Sequence, residues 1–305
     1  MSKSSGLVFR IALLVLLVLP LGALGEGLTL PERVFRDVDS NPLPFQTDAE
    51  AEEFLRTATV TSQRDIGTGV TKPKQLVLEK DGLKVHAAFN YVDRQGQREK
   101  MADGTVEMYF QDSYKADIAT YKLSRLLGAE MIPPGVERNI DGQDGVVRLW
   151  IENLKSYDEW INEGNTGTPD SLYLRRQLKD QIVFDLLIRN TDRNQGNINW
   201  DPDWNLWMID QTRSLAKDPG LRDKEAKKLK GCSRSLYEAI KSLKIKDLER
   251  DLMPYIGSFE IKALMKRRDK LIKLIDTLVK KEGEAEVLFN YTDAPEGLII
   301  SYDDE

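Results

Sequence analysis

The stretch "IRNTDRNQGNINWDPDWNLWMIDQTRS", residues 188–214, holds Asp192, Asn197 and Asp210 in one short segment. Four residues separate Asp192 from Asn197, and twelve lie between Asn197 and Asp210. The intervening "INWDPDWNLWMI" reads as strand, Asp-Pro-Asp turn, strand, a hairpin that carries Asn197 and Asp210 back toward one another. Asp and Asn favour turns in any protein. That preference accounts for neither the fixed separations nor the flanking strands. Leading into the segment, Leu174, Leu178, Ile182, Leu186 and Leu187 form one apolar stripe, which predicts a long buried helix from Ser171 to Asn190.

Working outward, Thr47-Asp48-Ala49-Glu50 is a capping box that opens a short helix through about Arg56, after residues 26–46 that carry no clear period. Residues 64–93 supply a Gly67-Thr68-Gly69 turn, a strand near Lys74 to Glu79, an Asp81-Gly82 hairpin turn and a strand from Leu83 to Tyr91. A helix is expected over 113–128, ending at Gly128. Two strands around an Asp-Gly turn are expected over 136–153. Beyond Asn153 the pattern is helical, broken by a loop at 162–170 and continuing in stripes from Leu252 to Lys281. The sequence is therefore α+β, with a β-rich part to about residue 150, a hinge near Arg148 to Glu152 and a helical part beyond.

A chain of 305 residues that is 41% hydrophobic and 31% charged can bury a substantial core. Lys3 and Arg10, the apolar run Ile11 to Leu24 and the small residues Ala23 and Gly25 read as a signal peptide, residues 1–25, with cleavage before Glu26. That run of 14 residues includes Pro20 and falls short of the roughly 20 residues that span a bilayer. Cleavage leaves no stable membrane span, places the protein in an exported compartment, periplasmic or secreted, and shifts its net charge from -6 to -8. An acidic mature protein argues against nucleic acid as a general partner. Cys232 is the only cysteine, so no internal disulfide forms, and it reads as a partly buried helix residue. His86 is the only histidine, which argues against a histidine metal site and against Ser-His catalysis.

Transfer of a phosphoryl group from ATP needs a base that orients the attacking hydroxyl, and oxygen ligands for Mg²⁺ or Mn²⁺. Asp, Asn and Asp are residues of that kind. Protein kinases place an Asn five positions after the catalytic Asp, and a metal-binding Asp after a short hairpin. In "FDLLIRNTDRNQGNI" and "WMIDQT" the chain resembles the atypical kinases related to phosphoinositide kinases, HipA-type kinases and secretory-pathway kinases. With a looser match at 64–153, the resemblance covers roughly Arg64 to Ser214. It implies a two-lobed protein-kinase-like fold: an extension at 26–59, an N-lobe at 60–150, a C-lobe at 151–290 and an acidic tail at 291–305. It further implies Asp192 as catalytic base, Asn197 and Asp210 as metal ligands, and Gly67, Thr68 and Gly69 over the nucleotide's phosphates.

The upstream half departs from that pattern. Kinases carry a strand Lys in a Val-Ala-Ile-Lys-like context and a helical Glu that pairs with it. Here Ala87-Ala88-Phe89-Asn90 puts Asn90 in the lysine's place, and Asp117 stands where the helical Glu is expected. A turn at Asp81-Gly82 sets Asn90 opposite Pro73 and leaves Lys72 and Lys74 on the other face of the ribbon. For Arg193, a loop-holding role and simple exposure are both open. Trp200, Trp204 and Trp207 read as hairpin packing, and Asp201 and Asp203 as turn residues. The expected function is ATP- and Mg²⁺-dependent phosphoryl transfer to a hydroxyl of a protein, lipid headgroup or glycan. Two alternatives stay open: an exported pseudokinase that binds nucleotide or a partner without turnover, and a nucleotidyl transferase on the same fold.

Overall fold

The computed structural model describes residues 32–67, 73–101, 104 and 106–293. The signal peptide expected at 1–25, Thr68, Gly69, Lys72 and the tail from residue 294 lie outside them. The first helix, α1 (Asp48–Thr57), opens on the expected capping box, with Thr47 Oγ1 accepting from Glu50 N at 3.3 Å while the Glu50 carboxylate accepts from Thr47 N at 2.9 Å. Strands β1 (Thr59–Asp65), β2 (Lys74–Lys80) and β3 (Leu83–Asn90) follow as an antiparallel ribbon. Its register pairs Lys80 with Leu83 and Lys74 with Phe89, so the turn falls at Asp81-Gly82 and Lys74 lies on the face opposite Asn90, as the turn residues dictate.

Between β3 and the next helix the chain folds back on itself in two tiers that the sequence reading did not anticipate. Strands β4 (Asp93–Gln95) and β7 (Gln111–Ser113) pair with each other, as do β5 (Arg98–Lys100) and β6 (Val106–Met108) between them. Helix α2 (Tyr114–Leu126) starts on the Ser113 cap, and the antiparallel strands β8 (Gly135–Ile140) and β9 (Gln143–Leu149) complete a five-stranded sheet in the order β1-β2-β3-β9-β8. Alternation divides the sheet's faces. Val85, Ala87, Phe89, Val147 and Leu149 are buried against Phe54, Leu55 and Ala58 of the α1 region. Val146, on the other face, packs against Tyr114 and Ile118 of α2. Gly145 has to be glycine, because a Cβ there would lie 2.5 Å from the Phe89 ring and 2.6 Å from the Asn90 carbonyl oxygen.

The chain leaves the sheet through Trp150, whose amide donates to His86 O at 3.1 Å, and enters a second lobe. There β10 (Lys155–Ser156) joins β11 (Ile198–Trp200) and β12 (Leu206–Met208) in a small antiparallel sheet. Helices α3 (Tyr157–Asn162) and α4 (Leu172–Ile188) separate β10 from β11; α5 (Asp223–Ala226), β13 (Cys232–Ser233), α6 (Arg234–Ser242), α7 (Ile245–Leu252), α8 (Ser258–Glu282), α9 (Glu284–Val287) and β14 (Leu288–Phe289) come after β12. The core of this lobe gathers Leu174, Phe184 and Leu187 of α4 with Leu264 and Leu271 of α8. Cys232 differs from its expectation: it is fully buried, and in the strand β13 rather than a helix, because β14 pairs beside it in parallel.

The aperiodic segment before α1 is a strap joining both lobes. The Arg33 guanidinium lies 4.4 Å from the Trp207 ring centroid and donates to Leu206 O at 3.2 Å and Gln177 Oε1 at 3.1 Å, while Val38 N donates to Lys84 O on the sheet at 3.1 Å. Side-chain anchors, not a repeating face, hold it, which is why its sequence has no period. Among the described residues, no helix is long and apolar enough to cross a membrane.

Candidate active site

Helix α4 ends at Arg189, whose left-handed backbone (φ 54°) turns the chain out of the helix into the segment that carries Asp192. Buried Asn190 fixes that exit: its Oδ1 accepts from Asp192 N at 2.8 Å and its Nδ2 donates to Gln211 Oε1 at 3.2 Å. Arg193 settles the choice left open above, because it holds the loop. Its Nε and Nη2 donate to the two Asp185 carboxylate oxygens at 3.0 and 3.2 Å, and Nη2 also reaches Gln211 Oε1 at 2.5 Å. Its Nη1 donates to Asn197 O at 3.0 Å and Ile209 O at 2.9 Å. One guanidinium thus ties the end of α4 to both legs of the hairpin, using the planar fork that only arginine offers. Gripping the carbonyls of Asn197 and of the residue before Asp210 brings the two residues together.

The side chains at the mouth are differently committed. Asn197 Nδ2 donates to Asp192 O at 3.1 Å, which turns its amide oxygen toward the role of acceptor or ligand. Asp210 is exposed and left-handed (φ 57°), an uncommon backbone for a residue other than glycine, and its Oδ1 accepts from Thr212 Oγ1 at 2.8 Å. Asp192 is half-buried; burial raises its carboxyl above the usual range, Arg213 opposes that and Asp210 adds to it.

Asp112 belongs beside them, although the sequence reading passed over it. It precedes the Ser113 cap of α2, and three contacts stitch that corner to the segment after Asp210: Ser113 N to Thr212 O at 3.0 Å, Gln111 Nε2 to Ser214 O at 2.9 Å, and Thr120 Oγ1 with Ser214 Oγ at 2.7 Å. Asp112 is 8% exposed, its Oδ1 is buried without a partner among the described residues, and burial raises its pKa against a hydrogen bond from Thr212, with Asp210 adding to the rise. A buried carboxylate oxygen left unpaired is costly unless something positive completes it. Among the described residues no three acidic, His or Cys side chains stand close enough to hold a metal by themselves. The donors around Asp210 are all oxygens, which suits a hard divalent cation sharing its ligands with phosphates.

On the sheet side, Asn90 and Asp117 do not meet. Asn90 Oδ1 accepts from Val92 N at 3.1 Å, capping its own strand. Asp117 pairs with Arg148 of β9, Oδ1 to Nη2 at 2.9 Å, with side chains 5% and 6% exposed. Arg148 lies across from Ala88 in the sheet, on the α2 face, and also donates to Pro133 O. Burial raises the Asp117 carboxyl, Arg148 opposes the rise, and Asp210 adds to it. The ion pair between sheet and helix is therefore present, with its cation supplied from β9. An arginine inside the apolar run "VVRLW" was the available signal. Its partner was not readable without the strand order.

Gly67 adopts φ 77°, and Ile66 N donates to Pro73 O at 3.0 Å. His86 Nδ1 lies 2.7 Å from Glu152 Oε1 near the hinge, and the two belong to no larger cluster of His, Cys or acidic side chains among the described residues. The tryptophans pack: Trp200 is buried edge-on to Trp160 and Tyr157, and Trp207 is buried beneath the strap. Asp201 caps its turn by accepting from Asp203 N at 3.0 Å and Asn205 N at 2.9 Å.

No protein-family model and no curated protein sequence matches this chain. Solved structures do. A hydra Fam20 protein with bound sugar is 17% identical, with a TM-score of 0.59, covering 81% of this chain and 94% of its own. A Golgi casein kinase is 15% identical at TM-score 0.57, covering 81% and 79%; with Mn and ADP bound it is 14% identical at 0.58, covering 82% and 80%. The chain has an atypical protein-kinase-like fold, similar to that of secretory-pathway kinases.

Proposed function

We propose that this protein is an exported phosphotransferase that moves the γ-phosphoryl group of ATP to a hydroxyl acceptor, with Mg²⁺ or Mn²⁺ as the cofactor. The observation that carries the reading is the clamp of Arg193, which converts the spacing of Asp192, Asn197 and Asp210 into one mouth that also takes in the unpaired oxygen of Asp112. Asn197, Asp210 and Asp112 would hold the metal. When bound, the cation would neutralise charge on the β- and γ-phosphate oxygens. Asp192 then orients the acceptor: the hydroxyl oxygen bonds to the γ-phosphorus, its proton passes to the Asp192 carboxylate, and the bond to the β–γ bridging oxygen breaks with its electron pair leaving on ADP. Gly67 and the turn it opens would cover the phosphates through backbone N–H groups.

The clamp and the unpaired Asp112 oxygen favour a metal–nucleotide site over a surface that only binds a partner, which needs neither. Incubating the mature protein with γ-labelled or α-labelled ATP, Mn²⁺ and an extract of its own compartment tests the reading. Transfer of the γ label is expected. Transfer of the α label alone would make the protein a nucleotidyl transferase, and absence of both would leave the nucleotide-binding pseudokinase. Export rests on residues 1–25; Edman sequencing of the protein from its producing cell should begin near Glu26, and an intact Met1 on soluble cytoplasmic protein would overturn it.

A further inference from the structure

Arg193 spends its guanidinium on Asp185, Gln211 and two backbone carbonyls, and Asn90 brings no charge to the cleft. A phosphoryl group passing between ADP and an acceptor beside Asp192 is stabilised further by a positive side chain on the equatorial oxygens that the metal does not reach. Among the described residues one other guanidinium stands at Asp192. Arg213 Nη1 lies 4.0 Å from Asp192 Oδ2, and its Nη2 is bound by Glu107 of β6. Its Nε is buried with no partner among the described residues. The plane sits 5.1 Å above the Phe110 ring centroid, and the backbone is pinned where Thr191 N donates to Arg213 O at 3.0 Å. The side chain is thus rooted beside the catalytic loop, with one end held by an acid from the inserted tiers and one donor idle.

We infer that Arg213 is the cation that contacts the transferring phosphoryl group, and that Glu107 holds it aside until that group arrives. The inference rests on the phosphotransferase reading. Its geometry follows from the idle Nε and from Nη1 already lying next to the base: once released from Glu107, the fork has donors to offer an oxygen that Asp192 faces. Phe110 faces the guanidinium plane and favours its cationic form there. The β5–β6 tier then has a purpose, as the carrier of the anion that sets when Arg213 is free.

Calorimetric titration of ADP and Mg²⁺ with and without aluminium fluoride, which mimics the flat transferring group, separates the two claims. For the wild type, fluoride should strengthen ADP binding by roughly 100-fold, the low end for transition-state mimics. Arg213→Gln should lose most of that gain while binding ADP and Mg²⁺ within about threefold of wild type, which also reports that the variant is folded. Arg213→Lys, with a single point charge in place of the fork, should keep only part of the gain. Glu107→Gln should enlarge the gain a few-fold, by the population it releases. A wild type without any fluoride gain would remove the phosphotransferase reading itself. A full gain retained by Arg213→Gln would leave that reading intact and make Arg213 a structural post.

Discussion

On the helical side of the cleft the residues assigned to phosphoryl chemistry come from one run, Asp192 to Arg213, folded back by its own hairpin and clamped by Arg193 within the same run. On the sheet side the ion pair joins Asp117 on α2 to Arg148 on β9, 31 residues apart and buried on both sides. The first arrangement is local and open to ligand. The second is distant in sequence and sealed from solvent. A kinase that keeps its lysine on the third strand spends that charge on both the helix and the nucleotide. Here Arg148 spends Nε and Nη2 on Asp117 and Nη1 on Pro133 O, so the pair seats α2 against the sheet, and in the proposed reaction the phosphates would draw no charge from it.

The largest effect on catalysis that the contrast predicts is at Asp192. Asp192→Ala should lower transfer by roughly 100-fold or more, the scale of a lost general base, while nucleotide affinity measured with Mn²⁺ stays near wild type. A proportional loss of affinity would mean that Asp192 belongs to the binding set instead.

Next come the two buried arginines. Arg193→Met and Arg148→Met each strand a buried carboxylate, Asp185 or Asp117, and should each cost about 3–5 kcal/mol in urea denaturation. They should differ in what repair does. Replacing the sheet-side pair together, Arg148→Met with Asp117→Leu, should recover most of the stability and leave Mn²⁺–ADP affinity within about threefold of wild type. The matching double change at Arg193 and Asp185 should recover stability without restoring affinity, because the grip on Asn197 O and Ile209 O is gone. Equal loss of affinity in both double variants would erase the distinction between the two sides.

The smallest effect is at Asn90. Asn90→Lys gives up the bond to Val92 N, worth about 1 kcal/mol, and offers the phosphates a charge worth about 1.5 kcal/mol or more. ATP should bind up to roughly tenfold more tightly in fluorescence titration, with the protein slightly less stable. No change in affinity would show that the end of β3 does not face the phosphates.

What could be read from sequence follows the same division. The hairpin, the α4 stripe, the Thr47 cap and the Asp81-Gly82 turn are set by neighbours along the chain, and each formed where its local pattern put it. Asp112 and Arg148 were illegible because their meaning depends on which strand lies beside which: nothing within "FQDSY" or "VVRLW" says that one acid will end near Asp210 or that the arginine will find Asp117. The strap at Arg33 and the tiers from β4 to β7 escaped for a related reason, since they are held by single anchors and short pairings that leave no period. Cys232 went astray because a two-residue strand such as β13 is defined by its partner β14 alone.

The claim on which the whole reading stands is that the mouth around Asp210 binds a metal–nucleotide complex. The direct measurement is the melting temperature of the mature protein with ADP in Mn²⁺ and in EDTA, for wild type and for Asp210→Ala, since only ligand bound to the native state raises it. A clear rise in Mn²⁺, little in EDTA and no difference in Asp210→Ala is the predicted result. An equal rise in EDTA, or a Mn²⁺-dependent rise that survives Asp210→Ala, would contradict it.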